Sequence, residues 1–323
     1  MSSPRFGAAV GAAMGGCAIF IAYLLRERAR LEADLEAETE HRNTLALELM
    51  ATRNKLMHSA ESVVVGRAMK PKASDVFVVT YPKCGTTWMT QICHALRSNA
   101  DMNYGEITEV APWDILAHDC GQDLSAAQPG KFRVFKSHES FATVPKGGRY
   151  IYVARDPLDA FFSFYKFLPS YVGLGPNDID QTAFSNAIFA GASHSGQIWD
   201  HFLGWWEHRD DNDVLFVFFE DLLTDLGSEV RRIAAFLQMD LSEELLASVL
   251  GVSSYEFMSK KENAHHFDEH FVRSFVAPKM GLADGAPPRV SKVGAREGRR
   301  RVAGVYCGLW LGGASADGSS SRD

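Results

Sequence analysis

A chain of 323 residues with 46% hydrophobic content has room for one large α/β domain and an appendage. Its formal net charge of −7 argues against a general nucleic-acid binder, so any anion-binding function must rest on a local cluster of positive charge. Five cysteines (Cys17, Cys84, Cys93, Cys120 and Cys307) give no C-x-x-C pair and no metal-ligand spacing, and their odd number excludes complete intramolecular pairing.

Residues 1–25 contain an uncharged stretch, Phe6 to Leu25, about long enough to cross a bilayer as a helix. It is rich in Gly and Ala, and its most apolar part is Ile19 to Leu25. A single-pass membrane anchor is the first reading. A cleaved signal peptide and a soluble tail are the others, although no small-residue cleavage site follows the apolar core. Residues 26–70 read as a helical stalk and linker. From Arg26 to His58 there is neither Pro nor Gly, and Leu31, Leu35, Leu45, Leu49 and Leu56 form an interrupted stripe. That stripe suits a short coiled coil, which would allow self-association, or equally a solvated single helix.

Residues 71–301 read as the main domain. Val76 to Val79 is a buried strand, followed by the loop Tyr81-Pro82-Lys83-Cys84-Gly85-Thr86-Thr87-Trp88 and by Met89, Ile92, Cys93 and Leu96 at helical spacing. Strand, tight loop and helix in that order direct backbone N–H groups and a helix dipole at one point. Lys83 adds a full charge there, and Thr86 and Thr87 add hydroxyls. The unit predicts a site for a phosphate or sulfate group. The bland alternative is an ordinary strand-to-helix turn with a surface lysine. A nucleoside-triphosphate loop would place glycine before the lysine, and here Lys83 precedes Gly85.

Residues 101 to 130 are loop-rich and include Trp113, which suits a pocket wall. Lys131 to Phe135 predicts a second strand that ends in Lys136-Ser137-His138, with Lys136 and His138 on one face. Arg149 to Ala154 predicts a third strand. It runs into Arg155, with Asp156-Pro157 at the start of a helix that carries Ser163. Arg155 thus falls at the carboxyl edge of a strand, where open α/β sheets bind ligands. Ile198 to Trp206 predicts an amphipathic helix. Val214 to Phe219 predicts a fourth strand, with helices to about Leu250. The alternation implies a central, mainly parallel sheet. Residues 302–323 read as an irregular tail of Gly, Ser and Ala.

The segment Tyr81 to Trp88 resembles the 5′-phosphosulfate loop of the sulfotransferases, Y-P-K-[SC]-G-T-T-W, over all eight positions. Arg155, Asp156, Pro157, Asp159 and Ser163 are similar to that family's 3′-phosphate motif, R-[ND]-P-x-D-x-x-x-S. Lys136-Ser137-His138 is similar to its K-[ST]-H segment. The resemblance covers roughly residues 70 to 270. It implies a P-loop-like three-layer α/β fold and a co-substrate, 3′-phosphoadenosine 5′-phosphosulfate (PAPS). The reaction it implies is in-line sulfuryl transfer to a hydroxyl or amine acceptor, without a metal. By the same resemblance His138 would be the base, with Lys83 and Lys136 stabilising charge. Lys83, Cys84, Gly85, Thr86, Thr87 and Trp88 would hold the 5′ side and adenine, Arg155 and Ser163 the 3′-phosphate, and Ser253 and Tyr255 would contact adenine.

Three places depart from the family pattern. Phe219 stands where many members have Tyr, Glu139 follows His138 where an apolar residue is common, and the basic loop at 291–298 has altered order. A nucleotide-binding member without turnover, a P-loop kinase or NTPase, and a stalk-driven scaffold are the competing functions. A membrane-anchored member of the family would sit in the Golgi or endoplasmic reticulum. Arg26, Arg28 and Arg30 after the apolar span, against Arg5 before it, would however put the domain on the cytosolic side.

Overall fold

The structure is a computed structural model that describes residues 4–175 and 177–283, with side chains from residue 20 onward. The altered basic loop and the tail expected beyond residue 283 lie outside the described residues. So do the side chains of the apolar stretch up to residue 19. Among the described residues no helix is long and apolar enough to cross a membrane.

Four parallel strands build one sheet in the order β2-β1-β3-β4: β1 (Val76–Thr80), β2 (Val134–Ser137), β3 (Arg149–Ala154) and β4 (Val214–Phe218). Every residue of β1 is buried, as expected of a central strand covered on both faces. The period of two then sorts the side chains. Val76, Val78, Val134, Ile151 and Val153 face α3 (Thr86–Ser98), α9 (Leu226–Phe236) and α10 (Glu243–Ser253). Phe77, Phe135, Tyr150 and Tyr152 face the other way, onto Trp205 of α7 (Ile198–Trp206). This is a three-layer α/β fold. The second strand begins three residues later than its apolar run suggests. Arg133, just before it, is held by a buried bidentate ion pair with Asp75, at 2.9 and 2.5 Å. The strand also ends at Ser137, so His138 has left the pleat. Lys136 and His138 nevertheless both meet the Trp113 ring.

The other helices are α1 (Pro4–Lys55), α2 (Ala60–Ala68), the single turn α4 (Ile107–Val110), α5 (Pro157–Tyr171), α6 (Gln181–Phe189), α8 (Phe219–Thr224), α11 (Tyr255–Met258) and α12 (His270–Lys279). The stalk and the domain meet differently from the sequence expectation. The leucine stripe is solvent-facing, with Leu31, Leu35, Leu45, Leu49 and Leu56 all exposed. A different face of α1 docks on the domain: Ala46 and Met50 are buried in one core cluster with Phe164, Leu168 and Val276. Asn43 exchanges hydrogen bonds with Asp180, and Arg53 donates to the Val172 carbonyl at 2.6 Å. The end of α1, ahead of residue 70, is therefore packed against the domain.

Candidate active site

The loop between β1 and α3 is shaped by two left-handed residues. Lys83 has φ 71° and Gly85 has φ 106°. A Cβ on Gly85 would also lie 2.8 Å from the Phe219 ring, so glycine is required there by backbone and by space. A non-glycine residue at positive φ is uncommon and is found where a site holds the chain in a set shape. Gly85 caps α3 without a side chain, so no capping side chain occupies the first-turn N–H groups. The hydroxyls of Thr80 and Thr86 lie 2.6 Å apart and tie the strand end to the helix start.

A cavity of about 600 Å³ opens over this loop. Lys83, Gly85, Thr86, Thr87, Trp88, His138, Arg155, Ser163 and Tyr255 all line it. Lys83 places its ammonium 3.8 Å above the Phe167 ring of α5. Arg155 donates from Nη1 to the Lys83 carbonyl at 2.9 Å and stacks over Phe219 at 4.2 Å. Burial lowers the pKa of this guanidinium below its ordinary value. Asp156 caps α5 by accepting from the N–H groups of Leu158 and Asp159, with Pro157 in the first turn. That cap sets the axis along which Ser163 reaches the cavity. Trp88 donates its indole N–H to the Ser253 carbonyl at 2.7 Å, which ties the end of α10 to the loop helix.

His138 is nearly buried at 7% exposure. Its Nδ1 lies 2.8 Å from the carbonyl oxygen of Thr80. A carbonyl only accepts, so Nδ1 carries the proton and the neutral ring keeps its lone pair on Nε2. Trp113 meets the ring edge-on at 5.0 Å between centroids. Behind it, His201 Nε2 lies 3.2 Å from the His138 carbonyl, and the Tyr152 hydroxyl lies 3.0 Å from His201 Nδ1. Trp205 donates to the next carbonyl, that of Glu139, at 3.2 Å. Burial holds His201 neutral, its pKa pushed down to about 4.

Three expected site residues are not on the cavity wall. Lys136 is buried, paired with the carboxylate of Glu269 and lying 3.6 Å over the Trp113 ring, so its charge is engaged behind the wall. Cys84 is buried beneath the loop, and burial pushes its thiol up to about 12. Ser253 is fully buried and acts through its carbonyl on Trp88. Conversely, sequence reading missed Asn54 of α1, Met57 just beyond it and the Ser193–Ser195 loop, all of which line the same cavity. Nothing in their local pattern marks them; they arrive by tertiary packing. Among the described residues no group of three or more His, Cys, Asp or Glu could hold a metal ion.

The family model for the sulfotransferase domain matches residues 73–276. The rabbit (Oryctolagus cuniculus) amine sulfotransferase is 33% identical over 196 residues, which cover 57% of this chain and 62% of that protein. The rat (Rattus norvegicus) sulfotransferase 1C2 is 29% identical over 208 residues, 61% of this chain and 69% of that protein. The match thus spans less than two thirds of the rabbit protein. Among solved structures, retinol dehydratase with retinol and PAP superposes with a TM-score of 0.61 at 21% identity, covering 81% of this chain and 88% of that one. A mouse sulfotransferase complexed with PAP gives 0.52 at 21% identity, covering 80% and 95%. These likenesses carry the fold.

Proposed function

Because the chain belongs to the sulfotransferase domain family, we propose that it transfers a sulfuryl group from PAPS to an acceptor hydroxyl or amine. The observation that carries the reading is one cavity lined at once by the anion loop, by Arg155 and Ser163, and by His138 with its lone pair on Nε2. The bound PAP of similar structures supports the donor.

In this reading the first-turn N–H groups of α3 with Thr86 and Thr87 hold the 5′-phosphate, and Arg155 with Ser163 holds the 3′-phosphate. Trp88 and Tyr255 flank the adenine. Lys83 offsets the charge that develops on the oxygen joining sulfur to phosphate, where a fixed cation acts most in the transition state. His138 Nε2 takes the acceptor's proton as its oxygen or nitrogen attacks sulfur, and PAP leaves. Lys136 acts from behind the wall, by bracing Trp113 against His138. Aromatic walls from Phe162, Phe164 and Phe167 suit an apolar acceptor body. The retinol and androsterone held by retinol dehydratase are hydroxyl-bearing molecules of that kind.

The test is a screen of sulfur-labelled PAPS against hydroxyl and amine acceptors with wild type, His138→Ala and Lys83→Met. The reading expects labelled product from wild type. It expects a fall of about two to three decades in turnover at saturating donor for Lys83→Met, and retained PAP binding without turnover for His138→Ala. PAP binding by wild type with no turnover on any acceptor class would mark a nucleotide-binding member instead. Transfer from ATP in place of PAPS would mark a kinase.

A further inference from the structure

Part of the cavity wall comes from two segments outside the donor motifs. Asn54 comes from the last turn of α1 and Met57 from the bend just after it, both ahead of residue 73, and Ser193, His194 and Ser195 come from the loop between α6 and α7. These two segments are joined directly. His58 Nε2 and His194 Nδ1 are 3.1 Å apart, with the rings edge-on at 4.2 Å. Burial first, then His194, pushes the His58 pKa down to about 4, and burial also lowers that of His194. Both rings are therefore neutral near pH 7, and one donates N–H to the other. Arg67 of α2 grips Glu139 in a bidentate pair at 2.6 and 3.2 Å, and His194 Nε2 lies 4.0 Å from the same carboxylate. The linker thus meets the loop directly at the two histidines, and Arg67 reaches it only by way of Glu139.

The chemistry of this wall differs from the rest. Phe162, Phe164, Phe167 and Leu168 are apolar, whereas the α1 side adds the Asn54 amide and the serine hydroxyls. Among the described residues the Ser195 hydroxyl oxygen is buried and has no hydrogen-bond partner. A buried hydroxyl without a partner costs stability unless it turns to a ligand in the cavity that its residue lines. An amide and a hydroxyl both donate and accept, so they match an uncharged polar group better than a carboxylate or an ammonium.

We propose that the end of α1 is a specificity-determining part of the acceptor site. Asn54 and Ser195, positioned by the His58–His194 contact, select an acceptor that carries a second uncharged hydrogen-bonding group on an apolar frame, remote from the reacting hydroxyl. Met57 packs against that frame. This rests on the sulfotransferase reading above and adds which acceptor it prefers. Discrimination follows because an analogue lacking the second group leaves the buried polar groups of the wall unpaired.

The probes are a hydroxybiphenyl and the same hydroxybiphenyl bearing a carboxamide on the far ring, with the corresponding hydroxynaphthalene pair as a shorter span. Two quantities are measured on the full chain: kcat/KM with PAPS, and calorimetric affinity for the PAP-loaded protein. Wild type should favour the carboxamide member of at least one pair by about tenfold or more. Asn54→Leu and Ser195→Ala should each remove most of that preference while PAP affinity stays unchanged. His58→Ala should reduce the preference for the carboxamide partner with a rise in KM rather than a fall in kcat. No preference between the two members of either pair in wild type, or a preference that survives both Asn54→Leu and Ser195→Ala, overturns the proposal. If wild type binds the probes with the expected preference but transfers no sulfuryl group, the activity reading fails and this assignment stands. If no probe binds the PAP-loaded protein, this assignment fails whatever the turnover.

Discussion

His201 holds the backbone of His138: its Nε2–H points at the His138 carbonyl from 3.2 Å, while its Nδ1 accepts from the Tyr152 hydroxyl. His201 does not line the cavity, so it is a positioning residue for the proposed base. His201→Ala should lower kcat by up to about a hundredfold through misplacement of the ring, with PAP affinity unchanged. His201→Gln keeps a donor toward the carbonyl and should recover most of the loss. If the folded fraction of the alanine variant turns over at the wild-type rate, His201 supports stability only.

The burial of Lys136 against Glu269 changes what its substitution should do. Removing one member of a buried pair leaves the other charge uncompensated, at a cost of about 3–5 kcal/mol. Lys136→Met should therefore lower the melting temperature markedly. The double variant Lys136→Met with Glu269→Leu should regain much of it, because both charges are gone. A stable single variant with lost turnover would instead return Lys136 to direct action at the sulfuryl oxygens.

The docked end of α1 predicts where truncation stops being harmless. Met50 is 3% exposed inside the core cluster, so Met50→Ala should cost about 2–5 kcal/mol. Deleting residues 1–39 leaves Asn43, Ala46 and Met50 in place and should leave chemical denaturation midpoints within error. Deleting residues 1–58 removes that face and also His58, and should produce a less stable protein. Equal midpoints for the two truncations would mean that the helix is a free stalk.

The fold was legible because its signals are local. The apolar run Val76 to Val79, the glycine at 85, Arg149 to Ala154 and the Asp156-Pro157 cap each declare an element from a handful of residues. Motif order then placed most of the donor-side residues on one cavity wall. What stayed hidden depends on partners far apart in the chain. Lys136 reads as a catalytic cation until Glu269, 133 positions on, is seen beside it. The docking face of α1 is equally silent: it is not the leucine stripe, and Ala46 and Met50 come to it only by tertiary packing. Arg133, just ahead of β2, is likewise paired with Asp75, 58 positions away.

Acid should destabilise the protein before the bulk of the carboxylates titrate. Burial pushes His58, His94 and His201 down to about 4, against 6.5 for the ordinary side chain, and Arg97 adds to the effect at His94. Between pH 6.5 and 4 the unfolded chain binds protons that the fold refuses, so stability falls as pH falls. Asp114 acts in the opposite sense: burial raises its carboxyl to about 7, so the fold binds a proton there that the unfolded chain releases above 3.8. Three histidines outweigh one carboxyl, and the net slope remains positive with pH. The check is unfolding free energy from pH 7 to 4.5. His201→Gln should flatten the slope by up to about 1.4 kcal/mol per pH unit. A flat wild-type profile would contradict neutral burial of these rings.

Arg155 has two separable tasks, and the nucleotide it prefers distinguishes them. Its Nη1 braces the anion loop through the Lys83 carbonyl, while its Nε is buried with no hydrogen-bond partner among the described residues. Arg155 and Ser163 line the same cavity, so a turn of the guanidinium there can present a further donor to a phosphate oxygen. A charge-assisted contact of this kind contributes about 1.5–3 kcal/mol, or one to two decades of affinity. Adenosine 3′,5′-bisphosphate should therefore bind wild type at least tenfold more tightly than the 5′-monophosphate. Arg155→Ala should remove most of that ratio, and Ser163→Ala a smaller part of it without disturbing the loop. Arg155→Lys keeps the charge but not the planar fork, so it should restore the ratio only in part. Equal weakening of both nucleotides by Arg155→Ala would show that the residue acts through the loop alone. Collapse of the ratio only when residues 289–301 are deleted would move 3′-phosphate recognition to that basic segment.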